Sequence, residues 1–190
     1  MNGATHQVRI PGKSVTFLRR AQQRTLGKVP LSEVRDAYRE TIEISELDIA
    51  GDVAEYAASK SVGHPYMVQL VGYYMWRAAR RRKSGTVLFA DVDQGYRDAV
   101  FEFFEAVDAP LYYGLRSPQR LFIEAMAHDE GGSSQMAEII KRCDRTQSWA
   151  SKYRASLIRE RVIESAGYGL VRFVVPLLGE YIREKVFWHE

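Results

Sequence analysis

One cysteine, four histidines and no long apolar run constrain this 190-residue chain before any motif is considered. A lone Cys143 excludes an intramolecular disulfide and a cysteine-rich zinc site, and fits a reducing cytoplasm. His6, His64, His128 and His189 are scattered, without the spacing of metal ligands. No apolar stretch reaches the roughly 18 residues that span a bilayer, and no signal peptide opens the chain, so no membrane partner is expected. Catalytic groupings are also missing. Asp91 and Asp93 read as helix-start residues rather than a general acid and base. Cys143 has cationic neighbours in Lys141, Arg142 and Arg145 that would lower a thiol pKa, but no histidine lies near it in sequence.

What is present is a foldable, moderately basic chain. Apolar residues make up 46% of it, enough for a proper core, and the formal net charge is +3. The positive charge is unevenly spread. Between positions 141 and 161 stand Lys141, Arg142, Arg145, Lys152, Arg154, Arg159 and Arg161, opposed only by Asp144 and Glu160. A second run, Arg77 and Arg80, Arg81, Arg82 and Lys83, sits where it complements the C-terminal dipole of a helix.

Helical periodicity dominates. Ser32 is expected to cap a first helix with Val34, Ala37, Tyr38, Thr41 and Ile42 on its apolar face. Asp48 or Ile49 is expected to start a second, with Val53, Tyr56, Ala57 and Ala58 inward and Gly63 ending it. Pro65 opens a third, burying Met67, Leu70, Val71, Tyr74 and Met75. Thr86 to Phe89 reads as an extended link. Asp91 is expected to cap a fourth helix carrying Val92, Tyr96, Ala99, Val100, Phe103 and Phe104, and Asp108, Ala109 and Pro110 weaken the pattern after it. The implied organisation is a tail or core remnant over 1–29, a helical subdomain over 30–107, and a second domain over 115–190.

That second domain carries the strongest signal. Over 117–175 the order is helix, helix, basic helix, then two short strands around Gly167, Tyr168 and Gly169. Ser117 is the expected cap of its first helix, Ser133 or Ser134 of the second, Ser148 of the third. This is the order of a winged helix-turn-helix, so the expected fold class is mainly α: a helical bundle followed by a winged helix with a small hairpin. The third helix of such a unit enters a DNA major groove or serves as a docking face. With Ala150, Tyr153, Leu157 and Ile158 assigned to the core, the outer stripe is Ser148, Trp149, Lys152, Ser156 and Arg159, with Arg154 at its edge. Tyr168 and Arg172 on the hairpin complete the candidate duplex-DNA surface. Trp149 also suits a protein interface, which leaves a protein partner or self-association as the competing reading.

The run Gly63, His64, Pro65, Tyr66, Met67, Val68, Gln69, Leu70, Val71, Gly72, followed by Trp76, resembles the lid helix of prokaryotic ATP-binding proteins of the AAA+ and STAND group, near the origin-recognition-like ATPases. Thr16 to Ala21 resembles the end of their ATPase core, and 117–175 their C-terminal winged helix. The resemblance implies contact between Gly63, His64 and Pro65 and the adenine of ATP or ADP in a parent protein. It also implies a winged helix that engages DNA under nucleotide control or, in a STAND-type signalling ATPase, a partner protein. The family's P-loop is not matched. Pro11, Gly12, Lys13 and Ser14 look like the end of a Walker A motif, but the glycine that G-x-x-x-x-G-K-[ST] requires falls on Gln7. Without that glycine-rich loop the phosphates lack their backbone N–H donors. The expectation is a non-enzymatic C-terminal part of an ATPase whose N-terminal core is absent.

Overall fold

The computed structural model describes residues 27–83, 85–130 and 132–187; the Walker-like Pro11, Gly12, Lys13 and Ser14 and the run from Thr16 to Ala21 lie outside them. The chain is mainly helical with a small antiparallel sheet, as the periodicity predicts.

Helix α1 (Leu31–Ile44) buries Val34, Tyr38 and Ile42 at the expected spacing. Its cap is Pro30, not Ser32, and Ala37 and Thr41 remain exposed. Asp48 and Ile49 do not start a helix. They form strand β1 (Asp48–Ile49), paired in parallel with β2 (Thr86–Val87). A two-residue pair of this kind depends on a partner distant in sequence, which local periodicity cannot reveal. Helix α2 (Gly51–Lys60) follows, then α3 (Pro65–Arg81) with Pro65 in its first turn. Helix α4 (Phe89–Phe103) starts before Asp91. The Asp91 carboxylate reaches back to accept the Leu88 N–H (2.9 Å) and pairs with Arg82 at 2.5 Å, so it tethers the start of α4 to the end of α3.

Helices α3 and α4 form the central pair. Gly95 lets them touch: a Cβ there would lie 2.4 Å from the Met75 backbone nitrogen. Between the helices, the Tyr74 hydroxyl donates to Glu102 and Arg77 pairs with Asp98.

The chain stays helical at position 107, where the first expected subdomain ends, and leaves the helix at Leu115. Helix α4 runs without interruption through a five-residue π-turn (Phe104–Asp108) into α5 (Ala109–Gly114). Pro110 explains the turn. In an α-helix its ring would collide with the carbonyl four residues back. The π-turn widens the backbone so that the Ala109 N–H bonds to Phe104 O instead. Core residues separate at this point into two clusters, one ending at Phe103 and the other beginning at Phe104, with Val175 and Leu177 touching both.

The second unit is α6 (Ser117–Ala127), β3 (Ser134–Gln135), α7 (Met136–Cys143), α8 (Gln147–Arg159), β4 (Ile163–Gly167) and β5 (Leu170–Phe173). The strands are ordered β3-β5-β4, all antiparallel, which is the winged-helix arrangement. Three expected caps shift. Arg116 precedes α6, and the Gln119 side chain accepts its N–H at 3.1 Å. Ser134 is in a strand rather than capping α7. Thr146, not Ser148, caps α8, accepting the Trp149 N–H at 3.2 Å. Helix α9 (Leu178–Tyr181) and a second π-turn (Ile182–Val186) close the unit, burying Leu178, Tyr181 and Ile182 against its core. No helix among the described residues is long and apolar enough to cross a membrane.

Candidate nucleic-acid interface

Helix α8 is anchored from beneath by Ala150 and Leu157, both fully buried. Opposite them the exposed positions are Ser148, Ser151, Lys152, Ala155 and Arg159, a continuous helical stripe. Ser148, Lys152 and Arg159 are where the sequence puts them. Ser151 and Ala155 belong to the same stripe but carry no charge to draw attention. Ala155 keeps the helix surface low between the two cations, and Ser151 does the same beside Lys152.

Trp149 and Ser156 are placed differently from expectation. The Trp149 indole is half-buried, stacked on Phe122 with ring centroids 6.2 Å apart and 4.8 Å from Tyr153. It is a brace between α8 and α6. Ser156 faces α6 as well: the Gln119 amide donates to its hydroxyl (3.3 Å) and to Glu160 (2.9 Å), and the hydroxyl donates to Glu160 (2.9 Å). Gln119 is buried, so this network satisfies a polar group that would otherwise cost stability.

The cations divide by what they are bound to. Arg142 donates to the Ala125 carbonyl (2.7 Å) and pairs with Asp129 (2.6 Å), and its guanidinium holds the Asp129 carboxyl below its ordinary pKa. Arg172 pairs with Glu164 across the hairpin at 2.6 Å. Arg154 reaches Ser165 of β4 at 3.3 Å, tying α8 to the hairpin. Lys141, Arg145, Lys152 and Arg159 have no carboxylate within ion-pair distance among the described residues. Beyond the end of β4, Tyr168 is fully exposed at the hairpin tip, where Gly167 and Gly169 take positive φ values of 131° and 69°. The turn demands those glycines.

Cys143 is buried, and burial pushes its thiol up, so the flanking arginines do not produce a reactive thiolate. The described residues hold no group of three or more His, Cys, Asp or Glu able to bind a metal.

The Gly63, His64, Pro65 element lies apart from this face. Gly63 has φ 69°, and a Cβ there would fall 2.4 Å from Val29 O. Val29 in turn donates its N–H to Gly63 O at 2.8 Å. The His64 ring stands edge-on to Phe103 at 5.4 Å, and burial together with nearby Lys28 depresses its pKa. Only His64 Nδ1 is left buried without a partner at this element. The chain itself thus occupies the neighbourhood of Gly63 and His64. These residues stop one helix and start the next.

A family model described as a domain of unknown function (DUF8462) matches residues 109–182. The match begins at the first residue after the π-turn and runs through α6 to α9, ending at the start of the second π-turn. No curated protein matches the chain. Among solved structures it is similar to the Thermotoga maritima RuvB Holliday junction branch migration motor and two of its mutants, at 13%, 14% and 13% identity. The TM-scores are 0.38, 0.39 and 0.38, over 85% of this chain and 51% of each of those. The chain therefore spans about half the length of these structures, and a likeness this slight carries no argument about function.

Proposed function

We propose that the second unit binds duplex DNA, with α8 in the major groove and the β4–β5 hairpin against the adjacent backbone. The observation that carries this reading is the α8 stripe. Lys152 and Arg159 stand free of carboxylate partners on either side of Ala155, beside a hairpin that projects a fully exposed Tyr168. A helix that enters a groove needs a low, polar surface flanked by cations that reach phosphates or guanine edges. Arg145, in the turn before α8, and Lys141, at the end of α7, add positive charge at the approach. Arg154 and Arg172 contribute by fixing the hairpin; Trp149 and Ser156 hold α8 on α6 and make no base contact.

The test is fluorescence anisotropy with a duplex oligonucleotide across a salt series. The expected plot of log affinity against log salt is linear, with a slope of about 0.9 per phosphate neutralised. The Lys152→Ala, Arg159→Ala double variant should bind roughly tenfold more weakly and lose about two units of slope. Trp149→Ala should instead lower thermal stability, because it removes the Phe122 stacking partner. Absence of binding at low salt, or a double variant that binds like the wild type, overturns the proposal.

A further inference from the structure

Helices α1 and α3 lie side by side and leave an apolar groove of about 460 Å³ between them, walled by Ala37, Thr41, Gly72, Tyr73 and Trp76. Its floor is finished: the Tyr38 hydroxyl donates to Val68 O at 2.8 Å, and Gly72 admits the Tyr38 ring. Its top is open. Ala37 and Thr41 are exposed although they lie at the apolar spacing of α1, and Tyr73 is 51% exposed. Contiguous apolar surface of this kind marks a contact site.

A large apolar side chain that fits the groove stands on the far flank of α3. The exposed stripe of α4 is Gln94, Arg97, Phe101 and Glu105, and Phe101 is 62% exposed. Two contacts fix its place. Glu102, its neighbour, accepts from Tyr66 at 3.3 Å and from Tyr74, so Phe101 stands level with the part of α3 that walls the groove. One turn away, Arg77 and Asp98 pair across α3 and α4 at 3.2 Å, with side chains 32% and 30% exposed. The groove lies on one flank of α3 and Phe101 on the other. With α3 between them, Phe101 cannot enter the groove of its own chain.

A two-fold axis parallel to α3 keeps each residue at its level and exchanges the two flanks. It brings Phe101 of each chain over the groove of the other, with Tyr73 near the axis. Charge agrees with that exchange. Arg97, one turn from Phe101, donates to Gln94 at 2.8 Å and has no carboxylate within ion-pair distance among the described residues. Glu40, exposed on the α1 rim one turn from Ala37, has no cation within that distance among the described residues. Three adjacent helices, each about 20 Å by about 10 Å, offer roughly 600 Å² per protomer, somewhat under the ~800 Å² of a standard stable interface. The pairing is therefore expected to be reversible, with dissociation on the order of micromolar.

We propose that this face pairs with a second copy of the chain in an isologous dimer, the Phe101 ring of each protomer seated in the α1–α3 groove of the other and Arg97 against the other's Glu40. The contact belongs to the first unit and stands independently of the DNA-binding reading of the second.

Sedimentation velocity of the full chain, without DNA and over a series from about 1 μM to about 1 mM, tests it. The expected result is a reversible monomer–dimer equilibrium. Phe101→Ser and Thr41→Arg, on the two sides of the contact and both at exposed positions, should each weaken it at least roughly tenfold. Arg97→Glu and Glu40→Arg should each weaken it, and the two together should restore it, because the double variant presents the same pair reversed. A chain that stays monomeric throughout the series overturns the proposal and leaves the groove to a different occupant. So does a dimer that neither Phe101→Ser nor Thr41→Arg weakens, or a charge reversal that the second substitution fails to rescue. Thermal melts matching the wild type confirm that each variant is folded, and with a substitution on each side of the contact the test stands if one of them disturbs folding.

Discussion

Gly95→Ala should destabilise the first unit by about 3 kcal/mol, lowering its melting temperature by roughly 6–12 °C. The sign is informative because intrinsic propensity points the other way. Alanine in a helix interior is favoured over glycine by about 1 kcal/mol. At Gly95, however, the new methyl would sit 2.4 Å from Met75 N, 2.7 Å from Met75 Cα and 2.8 Å from Tyr74 C. All three are backbone atoms of α3, so no rotamer change relieves the overlap and the two helices must separate. Separation opens the contacts of Met75, Ala79 and Ala99, each buried at this interface. Gly51→Ala is the matched control. Gly51 has nothing within 4 Å of its would-be Cβ and is the first residue of α2, so that change should be neutral or stabilise slightly. Paired thermal melts of the two variants separate packing from propensity.

The difference between those two glycines shows which parts of the fold are legible in sequence. Helix faces are local, and their spacing exposes them: Met67, Leu70, Val71 and Met75 are buried as their periodicity predicts. A close helix crossing is not local, and nothing near Gly95 announces that Met75 will pass over it. The same distinction explains the β1–β2 pair, which requires two distant dipeptides, and the π-turn, where Pro110 weakens the helical pattern although the widened backbone absorbs it. At the candidate interface, charge was the legible signal and orientation the illegible one. Lys152 and Arg159 are identifiable as exposed cations. Helical spacing puts Ser156 and Trp149 on the outer stripe, yet both turn toward α6. What decides is across the fold: Gln119 and Glu160 claim the Ser156 hydroxyl, and Phe122 claims the Trp149 ring. Arg172 and Arg142 look like binding residues by composition and are engaged by Glu164 and Asp129.

Asp108→Asn should stabilise the protein increasingly as pH rises from about 4 to about 8, with a gain on the order of 5 kcal/mol at the upper end. Asp108 lies in the π-turn that joins the two units, is 0% exposed, and has neither carboxylate oxygen hydrogen-bonded. Burial, with the Glu180 carboxylate as a second cause, pushes its pKa up to about 8. Below pH 4 the side chain is neutral in both the folded and the unfolded chain and contributes nothing to the pH slope. Between pH 4 and 8 the folded chain keeps a proton that the unfolded chain has released, so stability falls as pH rises. Above pH 8 the folded carboxylate is itself ionised, and the full cost of burying it is present. Asparagine has the same shape and no charge, so it removes this slope. Glu180 also has its pKa raised by burial, and it keeps part of the slope in the variant. The measurement is the difference in melting temperature between Asp108→Asn and wild type at pH 4, 6 and 8. It should be near zero at pH 4 and reach roughly 10–20 °C at pH 8. A constant difference across that range would mean that the Asp108 proton is not linked to folding. The carboxylate would then have a partner in solution, and the junction between the two units would be wetter than its packing indicates.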